Sequence, residues 1–246
     1  MKINVHAGHN PDGKIACGAV GILKESTEAR NVKSYIVSML KEQGHTVYDC
    51  TVDNGTSQTN VLTKIVKKCN AHNVDLDVSI HLNSGRNDLK GDGVTGGVEV
   101  LVYKGSTVKT TAANICKKVA ALGFRNRGVK ETTLYVLRKT TAPALLVECC
   151  FVDDADDAKL YDAKTMAAAI VEGITGEKVN TTTSSVNYLV KITCDALNIR
   201  KGAGTEYNVV GCIRDKNSYT IVEEKNGWGR LKSGAGWICL KYTKKV

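Results

Sequence analysis

The first 175 residues of the chain carry two hydrophobic patterns that alternate along the sequence. Short apolar or alternating runs predict strands, and apolar residues that recur every three to four positions predict helices. Strands are predicted at residues 2–6, 45–52, 77–82, 98–103, 134–137 and 144–150. Helices are predicted at residues 25–43, 58–72, 107–122 and 163–173. This alternation predicts an α/β layered domain with a mostly parallel sheet flanked by helices.

The pattern changes near residue 176. Residues 176–187 are small and polar, with the run Thr181-Thr182-Thr183-Ser184-Ser185 at their centre, and such composition is typical of a linker. Residues 188–246 show no helical period, and their short apolar runs are separated by glycine-rich turns. The sequence therefore predicts two domains, an α/β domain over residues 1–175 and a small all-β domain over residues 188–246.

Composition and charge narrow the class of partner. The 246 residues are 42% apolar and 24% charged, which excludes a largely disordered chain. No apolar run approaches the ~18–20 residues of a membrane-spanning helix, so no membrane partner is expected. The net charge is +9, and residues 176–246 hold twelve Lys and Arg against six Asp and Glu. This balance favours an anionic partner, and because no nucleic-acid motif occurs, a wall polymer fits better than nucleic acid.

Cysteine usage and the N-terminus bear on where the protein folds. The nine cysteines are odd in number and form no Cys-x-x-Cys pair, which argues against a disulfide framework and a cysteine-based zinc site. Most lie in apolar runs, as small buried side chains do. The N-terminus lacks the ~7–15-residue apolar core of a signal peptide. We therefore expect folding in a reducing cytoplasm without a signal peptide.

Candidate chemical groups follow the ends of predicted strands. His9 follows the first strand, His81 closes the apolar strand at 77–82, and Glu148 comes directly after Leu145-Leu146-Val147. Glu25 begins the first helix. Because ligands bind where the carboxyl ends of parallel strands meet, these four side chains are expected at one edge of the sheet.

Two imidazoles and one carboxylate form a donor set for zinc that leaves a fourth position for water. A second carboxylate can then act as general base and acid in hydrolysis. This pattern assigns His9, Glu25 and His81 as metal ligands and Glu148 as the catalytic base. Spacing alone leaves the alternative open that the histidines are hydrogen-bonded structural residues and that Glu25 only complements the helix dipole.

The motifs around these residues resemble a known family. Gly8-His9-Asn10, Glu25, Ser79-Ile80-His81-Leu82-Asn83 and Leu146-Val147-Glu148 are similar, in order and spacing, to the landmarks of the zinc-dependent N-acetylmuramoyl-L-alanine amidases of type 3. Residues 126–130 and 134–138 also resemble stretches of this family, and the resemblance covers residues 2–175. It implies one zinc ion held by His9, Glu25 and His81, with Glu148 as the catalytic residue. The implied reaction is hydrolysis of the amide between N-acetylmuramic acid and L-alanine.

Three positions leave alternatives. Glu28 lies one helical turn after Glu25 and competes with it as the third ligand. His6 stands where the family often has aspartate, and it is a rival ligand, although we expect it to be structural or to support the ligands. Cys149 and Cys150 follow Glu148 where the family often has Thr-Gly, and we interpret both as core residues.

Four further residues are candidates for binding substrate. Asn83 lies two residues after a predicted ligand, so it can orient the substrate or cap a turn. Arg127, Arg138 and Lys139 are cations that can bind carboxylates of the stem peptide, or remain solvated surface charges.

Residues 190–246 resemble a bacterial SH3-like (SH3b) domain. The similar stretches are Ala196–Gly202, Val209–Gly211, Asn226–Leu231 and Gly236–Ile238. The resemblance implies a small barrel that binds peptidoglycan, and Trp228 and Trp237 are its candidate wall-binding residues.

These observations together predict a peptidoglycan hydrolase similar to a phage endolysin, whose partners are peptidoglycan and anionic wall polymers. We expect it to be made in the host cytoplasm and to act on the wall after release, with a secreted autolysin as the alternative. Two other functions stay open: a non-catalytic wall-binding protein, and a zinc peptidase that cuts within the stem peptide.

Overall fold

The chain divides into two compact units, Met1–Val179 and Asn180–Val246. A computed structural model describes residues 1–179, 186–205, 207–225 and 227–246, and of Lys225 the backbone only. The centre of the predicted linker, Thr181–Ser185, lies outside the described residues, so the linker stays a prediction.

The first unit is an α/β structure, as predicted. Its strands are β1 (Lys2–Ala7), β2 (Thr46–Asp49), β3 (Leu76–Asn83), β4 (Val98–Tyr103), β5 (Asn126–Thr132) and β6 (Ala144–Phe151). Its helices are α1 (Glu25–Glu42), α2 (Gln58–Cys69), α3 (Lys109–Ala120), α4 (Tyr135–Lys139), α5 (Ala155–Leu160) and α6 (Ala163–Thr175). The sheet order is β2-β1-β3-β6-β4-β5. Every neighbouring pair is parallel except β6 and β4, which are antiparallel.

Helices cover both faces of this sheet. On one face, buried side chains of α1, α3 and α6 pack with alternate residues of the strands, and β6 contributes Leu145 and Val147. On the other face, a smaller core joins α2 and α4 with Leu146 of β6. Because side chains alternate along a strand, Glu148 points to the same face as Leu146. The candidate chemistry therefore lies on the α2 and α4 side of the sheet.

Helix boundaries follow local sequence. Helix α2 begins after Ser57, whose side chain accepts a hydrogen bond from the backbone N–H of Asn60 and so satisfies one free donor of the first turn. Helix α1 is followed by Gly44, whose positive φ of 82° ends the helix at little steric cost. Both helices bury one apolar stripe and expose their other side, as their apolar periods predict.

Two elements differ from the predictions. The strand predicted at residues 134–137 is wrong, because Tyr135–Lys139 form helix α4. A short apolar run fits either structure, and here Val136 and Leu137 are buried in the core shared with α2. Strand β5 was not predicted, because it is a polar edge strand whose residues are exposed or half-buried.

The second unit consists of short antiparallel strands. They are β7 (Tyr188–Ile192), β8 (Leu197–Arg200), β9 (Val209–Ile213), β10 (Ser218–Lys225), β11 (Trp228–Leu231), β12 (Trp237–Cys239) and β13 (Thr243–Lys245), with a short 3-10 helix at Leu240–Tyr242. The order in the sheet is β13-β7-β10-β11-β12-β8-β9. Its core is formed by Val190, Ile192, Leu197, Ile213, Ile221, Leu231 and Ile238. The all-β prediction is confirmed, while closure into an SH3-like barrel stays a prediction.

Across the described part of the chain, each helix is too short or too polar to cross a lipid bilayer.

Candidate metal centre and active site

Three predicted ligands come together at the carboxyl ends of β1 and β3. One carboxylate oxygen of Glu25, Oε1, lies 2.9 Å from Nδ1 of His81 and 3.2 Å from Nε2 of His9. The two imidazole rings meet edge to face, with centroids 4.9 Å apart. One donor atom from each residue lies within 4.8 Å of the other two. Three converging donors of this kind form a candidate metal centre.

The loop after β1 holds His9 in a strained backbone conformation. His9 has a φ of 63°, in the left-handed region that is uncommon for residues other than glycine. Its carbonyl oxygen accepts a hydrogen bond of 2.9 Å from Nη2 of Arg30, and the N–H of the preceding Gly8 donates to Ile80 of β3. Such strain persists only when the surroundings fix it, and it clusters at functional positions.

Two glycines allow the ligands to approach one another. A Cβ at Gly8 would lie 2.0 Å from the ring of His81, and a Cβ at Gly18 would lie 2.5 Å from Oε2 of Glu25. Both positions must therefore lack a side chain for the donors to converge. The donor chemistry and this close approach fit a zinc ion held by His9, Glu25 and His81.

The environment of Glu25 favours its charged form. Burial alone raises the pKa of this carboxyl group, but hydrogen bonds from His81 and His9 outweigh burial and hold the pKa well below its usual range. The second oxygen, Oε2, accepts a hydrogen bond from the backbone N–H of Ala19 at 2.8 Å. The competing residue Glu28 points elsewhere, since its Oε2 accepts hydrogen bonds from Tyr161 and Asn31.

Glu148 lies beside the three donors on the same face of the sheet. It is directly opposite His81 in the parallel pairing of β3 and β6. Its Oε2 is buried and has no hydrogen-bond partner among the described residues. Burial, and then the charges of Glu25 and Glu99, raise the pKa of Glu148 to about 8. This carboxyl group can therefore hold and release a proton at the edge of the metal centre.

His6 and the two cysteines after Glu148 are not among the three converging donors. His6 is buried in β1 with its Nδ1 3.5 Å from the hydroxyl oxygen of Ser79. Burial, and then nearby His81, lower the pKa of His6 to about 3, so its imidazole is neutral. Cys149 and Cys150 are fully buried in the core, and burial raises the pKa of both thiols. Neither thiol is therefore poised as a nucleophile.

The four predicted substrate residues separate into two pairs. The amide of Asn83 and the guanidinium of Arg127 both donate to Glu99, the neighbour of Glu148 on β4. Arg138 and Lys139 instead have exposed side chains on α4. Within the described ranges, neither of them contacts the donors or Glu148.

Trp228 and Trp237 belong to the second unit. They lie on the adjacent strands β11 and β12, and both are half-buried. Their role in binding the wall stays a prediction.

The sequence did not identify Arg30, Glu99 or the requirement for glycine at residue 8. Arg30 is one of several charged residues of an amphipathic helix, and its contacts with Gly8 and His9 arise only in the folded chain. The sequence contained one indication that Glu99 is functional, because this acidic residue lies between Val98 and Val100 of a predicted strand. That position is half-buried, and its partners lie 16 and 28 residues away.

A sheet edge that joins a His-Glu-His cluster to a buried carboxyl group could hold a metal ion beside a group that exchanges protons, which is the arrangement that metal-dependent hydrolases use. The family model for N-acetylmuramoyl-L-alanine amidases matches residues 3–176. Since this match covers well over half of the chain, the chain belongs to the N-acetylmuramoyl-L-alanine amidase family.

Individual relatives point the same way. An uncharacterised protein of Clostridium perfringens is 36% identical over 67% of this chain and 48% of its own length. The endolysin of Bacillus phage SPP1 is 28% identical over 68% of this chain and 60% of its own length. The chain thus spans about half to three fifths of these two relatives. Among solved structures, the catalytic domain of the CD27L endolysin targeting Clostridia difficile is 26% identical with a TM-score of 0.65, covering 73% of this chain and 99% of that one.

Proposed function

We propose that this protein is a zinc-dependent N-acetylmuramoyl-L-alanine amidase that hydrolyses the bond between N-acetylmuramic acid and L-alanine in peptidoglycan. The observation that carries the proposal is the convergence of His9, Glu25 and His81 directly beside Glu148. Membership of the amidase family supports the choice of bond. Bound by the three donors, a zinc ion supplies Lewis acidity, which polarises a carbonyl and makes water more acidic.

Glu148 performs the proton transfers in this proposal. Its carboxylate takes a proton from the attacking water and passes that proton to the departing alanine nitrogen. Glu148 is half-buried, and among the described residues no hydrogen bond holds its Oε2. A carboxyl group whose pKa lies near the working pH is suited to both accepting and giving a proton, and a nearby cation favours its charged form.

The second unit is proposed to hold the enzyme on the wall. Its sequence resembles an SH3-like wall-binding domain, and residues 176–246 carry an excess of positive charge that attracts anionic polymers. Trp228 and Trp237 offer half-buried aromatic surface for binding peptidoglycan. We further propose an endolysin-like setting, in which the protein is made in the host cytoplasm and reaches the wall after release. The similarity to a phage endolysin supports this setting.

The test separates metal binding from proton transfer. Glu148→Gln keeps the size of the side chain and removes its ability to exchange a proton. We expect the variant to retain about one zinc ion per chain and to lose activity on purified walls by roughly 10²–10⁴-fold.

The matched control is Glu131→Gln on β5, where an exposed glutamate is paired with Lys109. This control should keep both zinc and activity. Normal wall hydrolysis by Glu148→Gln would contradict the assigned role, and loss of zinc by the same variant would place Glu148 among the ligands.

A further inference from the structure

The row of side chains that begins at His81 continues beyond Glu148. Glu99 of β4 lies directly opposite Glu148 in the antiparallel pairing of β4 and β6. On the other side of β6, His81 lies directly opposite Glu148 in the parallel pairing of β3 and β6. Side chains at directly paired positions share one face of a sheet. The face that carries the donors and Glu148 therefore extends to Glu99.

Glu99 accepts hydrogen bonds from two side chains that have no part in the proposed proton transfer. Its Oε1 accepts a hydrogen bond of 3.0 Å from Nδ2 of Asn83, and its Oε2 accepts one of 2.9 Å from Nε of Arg127. The side chain of Glu99 is only 13% exposed, so this is a partly buried charge-assisted contact. The guanidinium carbon of Arg127 also lies 5.0 Å from the ring centroid of Phe151. Arg127 is thus held from two sides.

The outer edge of the Arg127 guanidinium remains available. A guanidinium has five N–H donors, and Glu99 uses the one at Nε. Among the residues that the structure describes, no hydrogen bond or ion pair occupies Nη1 or Nη2, and the side chain is 31% exposed. Two parallel N–H groups of a fixed guanidinium match the geometry of a carboxylate.

The position of Arg127 matches the peptide side of the substrate. In the proposed reaction Glu148 protonates the alanine nitrogen, so the departing peptide begins next to Glu148. The Arg127 guanidinium reaches Glu99 on β4, and β4 lies next to β6, the strand of Glu148, at a spacing of ~4.8 Å. One peptide residue spans at most ~3.3–3.6 Å, so a carboxylate one or two residues beyond the cleaved amide can reach Arg127.

We propose that Arg127 binds a carboxylate of the peptide that follows the cleaved amide, and that Glu99 is a positioning residue that orients Arg127 for this contact. This inference rests on the proposed amidase function. The pairing also has an electrostatic role, because the carboxylate of Glu99 repels an anionic peptide unless Arg127 offsets its charge.

The experiment compares two soluble muramoyl peptides that differ in one group. In one, the residue after alanine carries a free α-carboxylate, and in the other this group is a carboxamide. The full chain loaded with zinc is assayed as wild type, Arg127→Gln, Arg127→Lys and Glu99→Gln. Arg125→Gln is the matched control, since it removes an exposed charge two residues away. Thermal melting establishes that each variant is folded.

The wild-type protein is expected to prefer the carboxylate substrate. Arg127→Gln should lower kcat/KM on that substrate by on the order of 10- to 100-fold and leave the carboxamide nearly unchanged. Arg127→Lys should recover part of the preference, because it keeps the charge but loses the paired donors. Glu99→Gln should weaken the preference through a higher KM on the carboxylate substrate, and Arg125→Gln should keep the wild-type ratio.

Binding to uncleaved substrate gives a second readout. In a Glu148→Gln background, Arg127→Gln should raise the Kd for the carboxylate peptide and leave the Kd for the carboxamide. An equal loss on both substrates, or no loss on either, would overturn the inference. If the wild-type protein cleaves neither substrate, the proposed amidase function itself fails, so the two failures are distinguishable.

Discussion

Two buried carboxyl groups on the same face of the sheet illustrate how the residues divide between function and stability. Among the described residues, both Oε2 of Glu148 and Oδ2 of Asp77 lack a hydrogen-bond partner. Leaving such an atom buried costs about 1–3 kcal/mol. Glu148 stands beside the three candidate metal donors, where we propose that it transfers protons. Asp77 instead faces Asn4, whose amide donates to its Oδ1 at 2.6 Å.

The first prediction is that Asp77→Asn stabilises the fold at neutral pH. Burial raises the pKa of Asp77, so folding favours the protonated form. Stability is then highest below the unfolded pKa of about 3.9 and falls as the pH rises through the folded pKa. The variant removes this loss and keeps an amide oxygen that can accept the hydrogen bond from Nδ2 of Asn4. We expect the free energy of unfolding to rise by about 1 kcal/mol at pH 7.5, which corresponds to a Tm that is 2–4 °C higher.

The measurement is a series of thermal melts from pH 3 to pH 8. The gain should disappear near pH 3, where wild-type Asp77 is protonated. Asp75→Asn is the control, because it removes an exposed carboxylate two residues away. A lower Tm for Asp77→Asn at pH 7.5 would show that the charged carboxylate stabilises the fold.

Helix α1 presents one of two acidic residues to the candidate metal centre. Glu25 and Glu28 both lie in its first turn, yet only Glu25 reaches His9 and His81. The helix fixes this choice by packing its buried stripe, which includes Val32 and Ile36, onto the sheet and α6. The side chain of Glu28 is instead held by Tyr161, whose hydroxyl group donates a hydrogen bond to its Oε2.

We predict that Glu25→Gln and Glu28→Gln differ in their affinity for zinc. Glu25→Gln removes the anionic donor and should lower zinc affinity by on the order of 100-fold or more, whereas Glu28→Gln should leave zinc binding near wild type. The measurement is a zinc titration against a competing chelator. If Glu28→Gln lost zinc and Glu25→Gln kept it, the assignment of the third ligand would be reversed.

The elements with strong hydrophobic periods were predicted from the sequence, among them the strands that carry His81 and Glu148. Both strands continue past these residues, to Asn83 and Phe151, and the two side chains come together because they are directly opposite each other in the pairing of β3 and β6. Helix α4 could not be predicted, since its short apolar run also fits a strand. The contact of Glu99 with Arg127 was equally hidden, because it depends on which strands become neighbours in the sheet.

The first unit has two hydrophobic cores, and the second unit has a core of its own. The cores of the first unit contain no residue of the second, and the core of the second contains none of the first, among the residues described. The excess positive charge lies mainly in residues 176–246. This arrangement agrees with catalysis in one unit and wall attachment in the other.

We predict that a fragment of residues 1–179 keeps catalysis and loses attachment. Since its cores are self-contained, it should cleave soluble muramoyl peptides at a rate within about twofold of the full chain. Its sedimentation with purified walls should fall, while a fragment of residues 186–246 should sediment in a salt-sensitive manner. Equal wall binding by the 1–179 fragment and the full chain would contradict a wall-binding role for the second unit.

The amidase function is defined by the bond that is cut. Mass spectrometry of the products that the zinc-loaded protein releases from purified peptidoglycan identifies this bond. An amidase releases intact stem peptides that begin with alanine and carry a new free amino group, and it leaves glycan strands that have lost their peptides. Peptides shortened within the stem would indicate a zinc peptidase, and walls that bind the protein without any released product would indicate a non-catalytic binding protein. Either result would contradict the amidase function.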